Sequence, residues 1–241
     1  MEFRFSEEDE VFRSEIIKFV ESELPWDWKT QELDPEEPED LKLVQQFKQK
    51  LAKKGWLTRA WPEEYGGQNA SHIQQLIFNE EMAYRGVPVD DGGISMVGPI
   101  IMMSGTEQQK QYFLPRIARA EINWCQGYSE PDAGSDLASV QTKAEEDGDD
   151  FVVNGSKIWN GAHSGADWMF MLVRTDPDVR KHRGISFLVA EMNTPGITIE
   201  RIPLMWGADR SLVTFSEARV PKTGLIGEKN MGWYVGATLL D

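Results

Sequence analysis

Cysteine is almost missing from this chain. Cys125 is the only one in 241 residues, so no intrachain disulfide and no thiolate-rich zinc site can form. Histidine is scarce as well: His72, His163 and His182 make no HxH or HxxxH pair, which argues against a histidine metal site. Basic charge is outnumbered, with 25 Lys+Arg against 40 Asp+Glu and a formal charge of −15. Such a surface repels phosphate backbones and anionic lipid heads, so nucleic-acid binding is not expected as the main task. No run of about 18 apolar residues exists, so no membrane span is expected. Residues 1–20 are acidic and lack the apolar core of a secretory leader. These absences together predict a soluble, cytoplasmic protein of a reducing compartment.

What is present is an ordinary globular balance, 40% hydrophobic and 27% charged, with nine tryptophans. That many indoles serve filled cores, large interfaces or flat ligands. The first half reads as helical. Ser6 followed by Asp9 resembles a capping box, and Val11, Phe12, Ile16, Phe19 and Val20 form one helical stripe. Leu33–Asp40, with two prolines and five acids, reads as a solvated loop. Leu41–Leu51 is a second helix closed by Gly55, and the WPEEYGG stretch at Trp61–Gly67 is a turn-rich connection. A third helix starts near Ser71, a fourth covers Ile94–Ser104, and Thr106 caps a fifth.

Near Asn123 the texture changes to short apolar runs between Gly, Asn, Asp and Pro. The runs are Val140–Ala144, Phe151–Val153, Trp168–Val173, Ile185–Val189, Ile197–Ile202 and Leu212–Phe215, with Asp147-Gly148 as a hairpin signal. Spacing of this kind predicts a small antiparallel barrel or sandwich. Met231–Asp241 reads as the start of an apolar-faced helix. The fold class is therefore α+β: a helical domain over 1–120, a β-domain over 121–233, and 234–241 opening a further helical bundle.

Two stretches could carry chemistry. In Gln126–Asp136, QGYSEPDAGSD, a turn presents Ser129 and Ser135 at its shoulders. It is either a plain connection or a wrap for a phosphate or polar ring edge. In Lys157–Trp168, KIWNGAHSGADW, Trp159 is either barrel core or a flat wall beside a flat ligand. His163 reads as a hydrogen-bonding histidine.

In order and spacing the chain resembles the acyl-CoA dehydrogenase family. The resemblance rests on WPEEYGG, on SGTEQQKQYFLP at Ser104–Pro115, on YSEPDAGSD at Tyr128–Asp136, on VNGSKIW at Val153–Trp159 and on FSEARVPKTGLIGEKNMGW at Phe215–Trp233. It implies a helical domain, a β-domain and a C-terminal four-helix domain, with FAD between the last two. This sequence then supplies the first two and the start of the third.

The resemblance also implies roles. Gln126, Tyr128 and Ser129 map to the donors at the flavin's pyrimidine edge, where reduced flavin carries negative charge. Ser135 maps to the hydroxyl near the cofactor's pyrophosphate and the substrate's pantetheine arm. Trp159 maps to the tryptophan flanking the isoalloxazine. Two places on, the family has Thr or Ser reaching flavin N5; here it is Gly161, so the Gly161 N–H or the Asn160 amide is expected there. The acyl pocket floor maps to Gly92–Met103, where Gly92, Gly93 and Met96, beside Asp91, are expected to leave room for a bulky acyl group.

The implied reaction is FAD-dependent α,β-dehydrogenation of an acyl-CoA to the trans-2-enoyl-CoA. Its glutamate base is expected C-terminal to Asp241, so no catalytic residue and no metal ligand is assigned in this chain. The implied partners are an acyl-CoA substrate and an electron-transferring flavoprotein, in a homotetramer or a heteromer. The alternatives are an acyl-CoA oxidase or flavin monooxygenase of the same fold, which the absent hydroxyl at Gly161 suggests, or a non-catalytic subunit.

Overall fold

The computed structural model describes residues 4–24, 38–87, 89, 92–205 and 209–238. Its packing divides the chain into two units, Met1–Asp90 with Ala118–Glu121, and Asp91–Ile117 with Ile122–Asp241.

Among its described residues the first unit holds three α-helices. In α1 (Glu7–Glu23) the capping box is complete: the Asp9 N–H donates to Ser6 Oγ at 3.1 Å, and the Ser6 N–H donates to Asp9 Oδ2 at 3.1 Å. Phe12, Ile16 and Val20 of the expected stripe are buried, whereas Val11 faces solvent. Helix α2 (Pro38–Lys53) starts earlier than expected. Proline suits a first helical turn because its missing N–H would have had no partner there, so Pro38–Asp40 are helical, not loop; Leu33–Glu37 lie outside the described residues. Helix α3 (His72–Tyr84) is capped by Ser71, whose Oγ accepts the Gln74 N–H at 3.2 Å. Trp56 closes this core, its ring edge-on to Phe12 at 5.6 Å and to Phe19 at 5.4 Å. The double glycine of WPEEYGG has a steric reason. Gly66 sits at φ +87°, and a Cβ on Gly67 would lie 1.9 Å from the Trp61 carbonyl oxygen.

The second unit begins with a π-helical turn, Gly93–Val97, running into α4 (Gly98–Ser104). The expected fourth helix is thus π-wound over its first half. Helix α5 (Glu107–Ala118) carries a reciprocal cap. Gln109 N–H donates to Thr106 Oγ1, and Thr106 N–H donates to Gln109 Oε1. The same Gln109 amide donates to the carbonyls of Thr223 and Leu225 at 2.7 and 2.8 Å, fastening α5 to the end of the sheet.

Eight strands follow among the described residues: β1 (Trp124–Gly127), β2 (Lys143–Asp147), β3 (Asp150–Asn160), β4 (Trp168–Arg174), β5 (Ile185–Glu191), β6 (Ile197–Ile202), β7 (Arg210–Pro221) and β8 (Leu225–Ile226). A short helix α6 (Gly232–Ala237) closes the described chain. The strand order is β6-β7-β3-β2-β4-β5-β8, with β1 beside β4. Most neighbours are antiparallel, as expected, but β1 pairs with β4 in parallel, Trp124 opposite Trp168. Parallel neighbours need a long crossover, and the whole β2–β3 hairpin lies between these two strands. β1 and β8 carry no strong alternation, and the sequence did not announce them. The hairpin loop is Gly148-Asp149, one residue later than expected, with Gly148 at φ +61° in the first loop position. Inward residues of β2, β3, β4, β5 and β7 fill one core, among them Phe151, Val153, Met169, Met171, Leu188, Val213 and Phe215.

Candidate functional site

The two stretches singled out by sequence meet in the second unit. Strand β1 ends at Gly127 and delivers Tyr128, Ser129 and Glu130 to the flank of β3. The Ser129 carbonyl accepts the Ile158 N–H at 2.9 Å, which ties the turn to the strand residue just before Trp159. The turn beyond is closed by two reciprocal bonds, Glu130 N–H to the Ala133 carbonyl at 2.8 Å and Ala133 N–H to the Glu130 carbonyl at 3.1 Å. Pro131 and Asp132 form its exposed tip.

A buried ion pair fixes this arrangement. Lys157, wholly buried in β3, sends Nζ to Glu130 Oε1 at 2.7 Å, to the Leu172 carbonyl at 2.6 Å and to the Tyr128 carbonyl at 3.4 Å. Glu130 also accepts the N–H groups of Gln141 at 2.6 Å and Thr142 at 3.0 Å. Those two bonds explain why β2 starts at Lys143: the expected strand residues Val140–Thr142 belong to the loop that Glu130 holds. Burial works to raise the Glu130 carboxyl, but the Lys157 charge and these donors outweigh it, so its pKa falls below the ordinary value. Burial is also the main influence on Lys157 and pulls it down to about 8, against the raising effect of Glu130. At the far side Arg174 donates to the carbonyls of Ala138 at 2.7 Å and Val140 at 3.1 Å, and Lys181 pairs with Asp136 at 2.6 Å.

Trp159 is the least ordinary residue here. It is 56% exposed, and its backbone sits at φ +65°, where β7 pairing slips between Ile158 and Asn160. A bulge re-aims a side chain, and this one turns the indole outward. A non-glycine residue in left-handed backbone costs on the order of 1–2 kcal/mol. An exposed tryptophan held at that cost points to a functional surface. Trp168, by contrast, is half-buried and packs against Phe113 at 4.9 Å and Trp124 at 5.6 Å.

The other expected site residues sort unevenly. Gln126 and Ser129 are half-buried, Ser135 is exposed, and their side chains have no hydrogen-bond partner among the described residues. The Tyr128 hydroxyl is not turned to this surface. It is buried and donates to the Gly236 carbonyl of α6 at 3.3 Å. The Asn160 amide is turned inward too: Nδ2 donates to the Lys157 carbonyl at 3.3 Å and Oδ1 accepts the Ala162 N–H at 3.1 Å. Of the two donors expected beside Trp159, this leaves the Gly161 N–H. Gly161 itself is exposed at φ −101°, with open space where a Cβ would stand. His163 binds Ser211 through Nδ1 at 2.8 Å, in keeping with a hydrogen-bonding role.

Gly92 packs closely against a neighbouring ring. A Cβ there would lie 2.7 Å from Phe170 Cε1, so the ring already fills that space and the glycine answers a packing need. Gly93 is buried and Met96 half-buried on the π-turn, while Asp91 lies outside the described residues. Among the described residues no cluster of three or more His, Cys, Asp or Glu could hold a metal ion, and no helix is long and apolar enough to cross a membrane. Sequence reading placed Glu130 in the turn but missed its partner, Lys157. The only signal was a lysine in mid-strand between inward-facing positions.

Comparison with known proteins agrees with this geometry. The family model of the acyl-CoA dehydrogenase N-terminal domain matches residues 6–121, and that of the middle domain matches residues 125–218. The acyl-CoA dehydrogenase FadE26 of Mycobacterium tuberculosis is 45% identical over 186 residues, 76% of this chain and 46% of that protein. The acyl-CoA dehydrogenase IpdE1 of the same organism is 41% identical over 80% of this chain and 51% of its own length. Among solved structures, the ChsE4-ChsE5 complex of M. tuberculosis superposes with a TM-score of 0.91 at 37% identity, over all of this chain and 61% of that one. The Tcur3481-Tcur3483 steroid ACAD gives 0.91 at 35% identity, over all of this chain and 62% of its own. The chain belongs to the acyl-CoA dehydrogenase family. It spans about half the length of the curated relatives it matches.

Proposed function

We propose that this chain forms the FAD- and substrate-facing part of an enzyme that converts an acyl-CoA thioester to its trans-2-enoyl-CoA. The observation that carries the reading is Trp159, an exposed indole held at φ +65° on the residue after Ile158, whose N–H meets the carbonyl of Ser129, a residue whose side chain has no partner among the described residues. A flat wall next to fixed polar groups suits a flat ring with polar edges, so the residues present fit FAD. When bound, FAD supplies the two-electron acceptor that no side chain can provide. Trp159 would cover the ring, Gln126, Ser129 and the Tyr128 main chain would meet its polar edge, and the Gly161 N–H would stand where relatives place a hydroxyl. Ser135 would serve the pyrophosphate and the pantetheine arm, with Gly93 and Met96 at the acyl end. The base that takes the α-proton is proposed to come from outside these residues, because Glu130 is already committed to Lys157, Gln141 and Thr142. The helical domain is proposed to cover 1–120, the β-domain 121–233, and a further helical domain to open at 234.

The names of the relatives suggest the substrate. One solved neighbour, seen as the parent and as its G363A variant, is described as a steroid ACAD, which supports a ring-bearing acyl-CoA over a straight-chain one. The complex of two named chains supports a heteromer over a homotetramer. An electron-transferring flavoprotein is the proposed electron acceptor.

The test is a visible spectrum of the purified enzyme, alone and then with acyl-CoA under anaerobic conditions. Flavin absorption bleached faster by a CoA thioester on a steroid side chain than by a straight-chain thioester is the expected result. A colourless preparation after reconstitution with FAD would sink the reading. The absent hydroxyl at position 161 supports the oxidase alternative, and oxygen consumption with acyl-CoA and no other acceptor separates the two. Gly161→Thr checks the same point. Its φ of −101° and open surroundings admit threonine without strain. The variant is expected to fold, keep FAD and change the reductive half-reaction by less than about tenfold, roughly 1.4 kcal/mol. A hundredfold rise would mean that nothing replaces the missing hydroxyl.

A further inference from the structure

The geometry points to Lys157 and Glu130 as a positioning pair that holds the Ser129 turn against the Trp159 strand at the separation the cofactor ring requires. This rests on the reading of the site given above. A buried ion pair is a poor device for stability alone, because desolvating two charges offsets their attraction and well-packed apolar residues do as well. What the pair supplies is direction. The three acceptors of Lys157 Nζ belong to two separate segments: Tyr128 and Glu130 on the turn, Leu172 in β4. Its own backbone lies two residues before Trp159, and the intervening Ile158 N–H donates to the Ser129 carbonyl. Glu130 then ties down the far end of the same loop through Gln141 and Thr142. An apolar contact would let the turn slide along β3; five directed bonds to charged groups do not.

The charged groups that act on Lys157 are Glu130 from the turn and Arg174 from β4. Tyr128 turns its hydroxyl away towards Gly236. The pair is buried: Lys157 is 0% and Glu130 8% exposed. The lysine, drawn down to about 8 by burial, gives the arrangement a handle. Loss of its proton removes the charge and one donor from the clamp and leaves the fold's apolar core untouched.

The experiment uses the FAD-loaded enzyme and two variants, Glu130→Gln and the double change Lys157→Met with Glu130→Gln. Melting temperature, bound FAD and the visible circular dichroism of the flavin are followed from pH 6.5 to 9.5. Folded variants are expected to bind FAD at least tenfold more weakly and to show an altered flavin dichroism. The wild type is expected to show a dichroism change centred near pH 8 that the double variant lacks. A folded variant with wild-type dichroism, FAD affinity and pH profile overturns the positioning role while leaving the site reading intact. Should neither variant fold, Glu130→Asp, which keeps the charge and shortens its reach, decides: wild-type FAD affinity and flavin dichroism in that variant overturn it. A wild type that binds no FAD at any pH overturns the site reading itself, and the pair's role with it.

Discussion

Replacing Lys157 with methionine is expected to lower the stability of the second unit by about 3–5 kcal/mol, the usual penalty for stranding one member of a buried ion pair. For a protein of this size that is a fall of roughly 10 °C in melting temperature. Methionine fills much of the same volume, so the loss does not come from a cavity. It comes from Glu130, left buried with a charge and only the Gln141 and Thr142 N–H groups to face it. Changing Glu130 to glutamine in the same molecule removes that charge and should recover a large part of the loss. A single Lys157→Met variant that melts within about 2 °C of the wild type would show that the pair is not closed in solution.

The sign of the pH dependence follows. Glu130 has a folded-state pKa below its unfolded one, so its contribution is full above the unfolded value and is lost as pH falls through the folded one. Without Lys157 the burial effect dominates and the carboxyl titrates higher, so the variant takes up the proton first. The gap in melting temperature between wild type and Lys157→Met is therefore expected to narrow as pH falls from the variant's raised carboxyl pKa through the ordinary carboxylate range towards the wild type's depressed one. Lys157 itself is depressed from 10.5 to about 8. Above pH 8 the unfolded chain binds the extra proton, so this group adds stability as pH rises from 8 towards 10.5. The gap between wild type and variant in that range includes this opposing contribution. Thermal melts at pH 3.5, 7 and 9.5 measure all three regimes.

Local signals were legible where one segment suffices to make them. Ser6-Asp9 and Thr106-Gln109 each close within four residues, so the caps of α1 and α5 could be read directly. Ser71 capped α3 for the same reason. The long apolar strands β4 and β5 were legible because burial on both faces leaves an uninterrupted run. β1 was not, since WCQG is four residues long and owes its strand state to β4, forty residues away. Val140–Thr142 carried a strand pattern but lost it to Glu130, a side chain in another loop. Within the site, the two motif stretches could be found by resemblance, yet the orientation of their side chains could not. The resemblance implied that Tyr128 and Asn160 lie among the donors facing the flavin. Tertiary partners, Gly236 for one and the Lys157–Ala162 backbone for the other, draw both inward. Gly92 looked like vacant space until Phe170 was seen to occupy it.

Trp159→Gly is expected to cost the enzyme at least a tenfold loss of FAD affinity, about 1.4 kcal/mol, with little change in the cofactor-free fold. The two effects separate because of where the indole stands. It is 56% exposed, so its removal forfeits limited buried area. Its backbone at φ +65° is strained for any side chain but free for glycine. Relief of about 1–2 kcal/mol of backbone strain therefore offsets the packing lost and the greater entropy of the unfolded glycine chain. The cofactor-free melting temperature should stay within a few degrees of the wild type. A tryptophan that merely finished the barrel core would behave in the opposite way, with a large fall in stability and an unchanged cofactor. Equilibrium dialysis of FAD, read beside melts of the stripped protein, distinguishes the two. Full FAD affinity in a folded Trp159→Gly variant would remove the observation on which the functional reading rests. Loss of FAD with the fold intact would show that the strain at position 159 is maintained for the cofactor and not for the sheet.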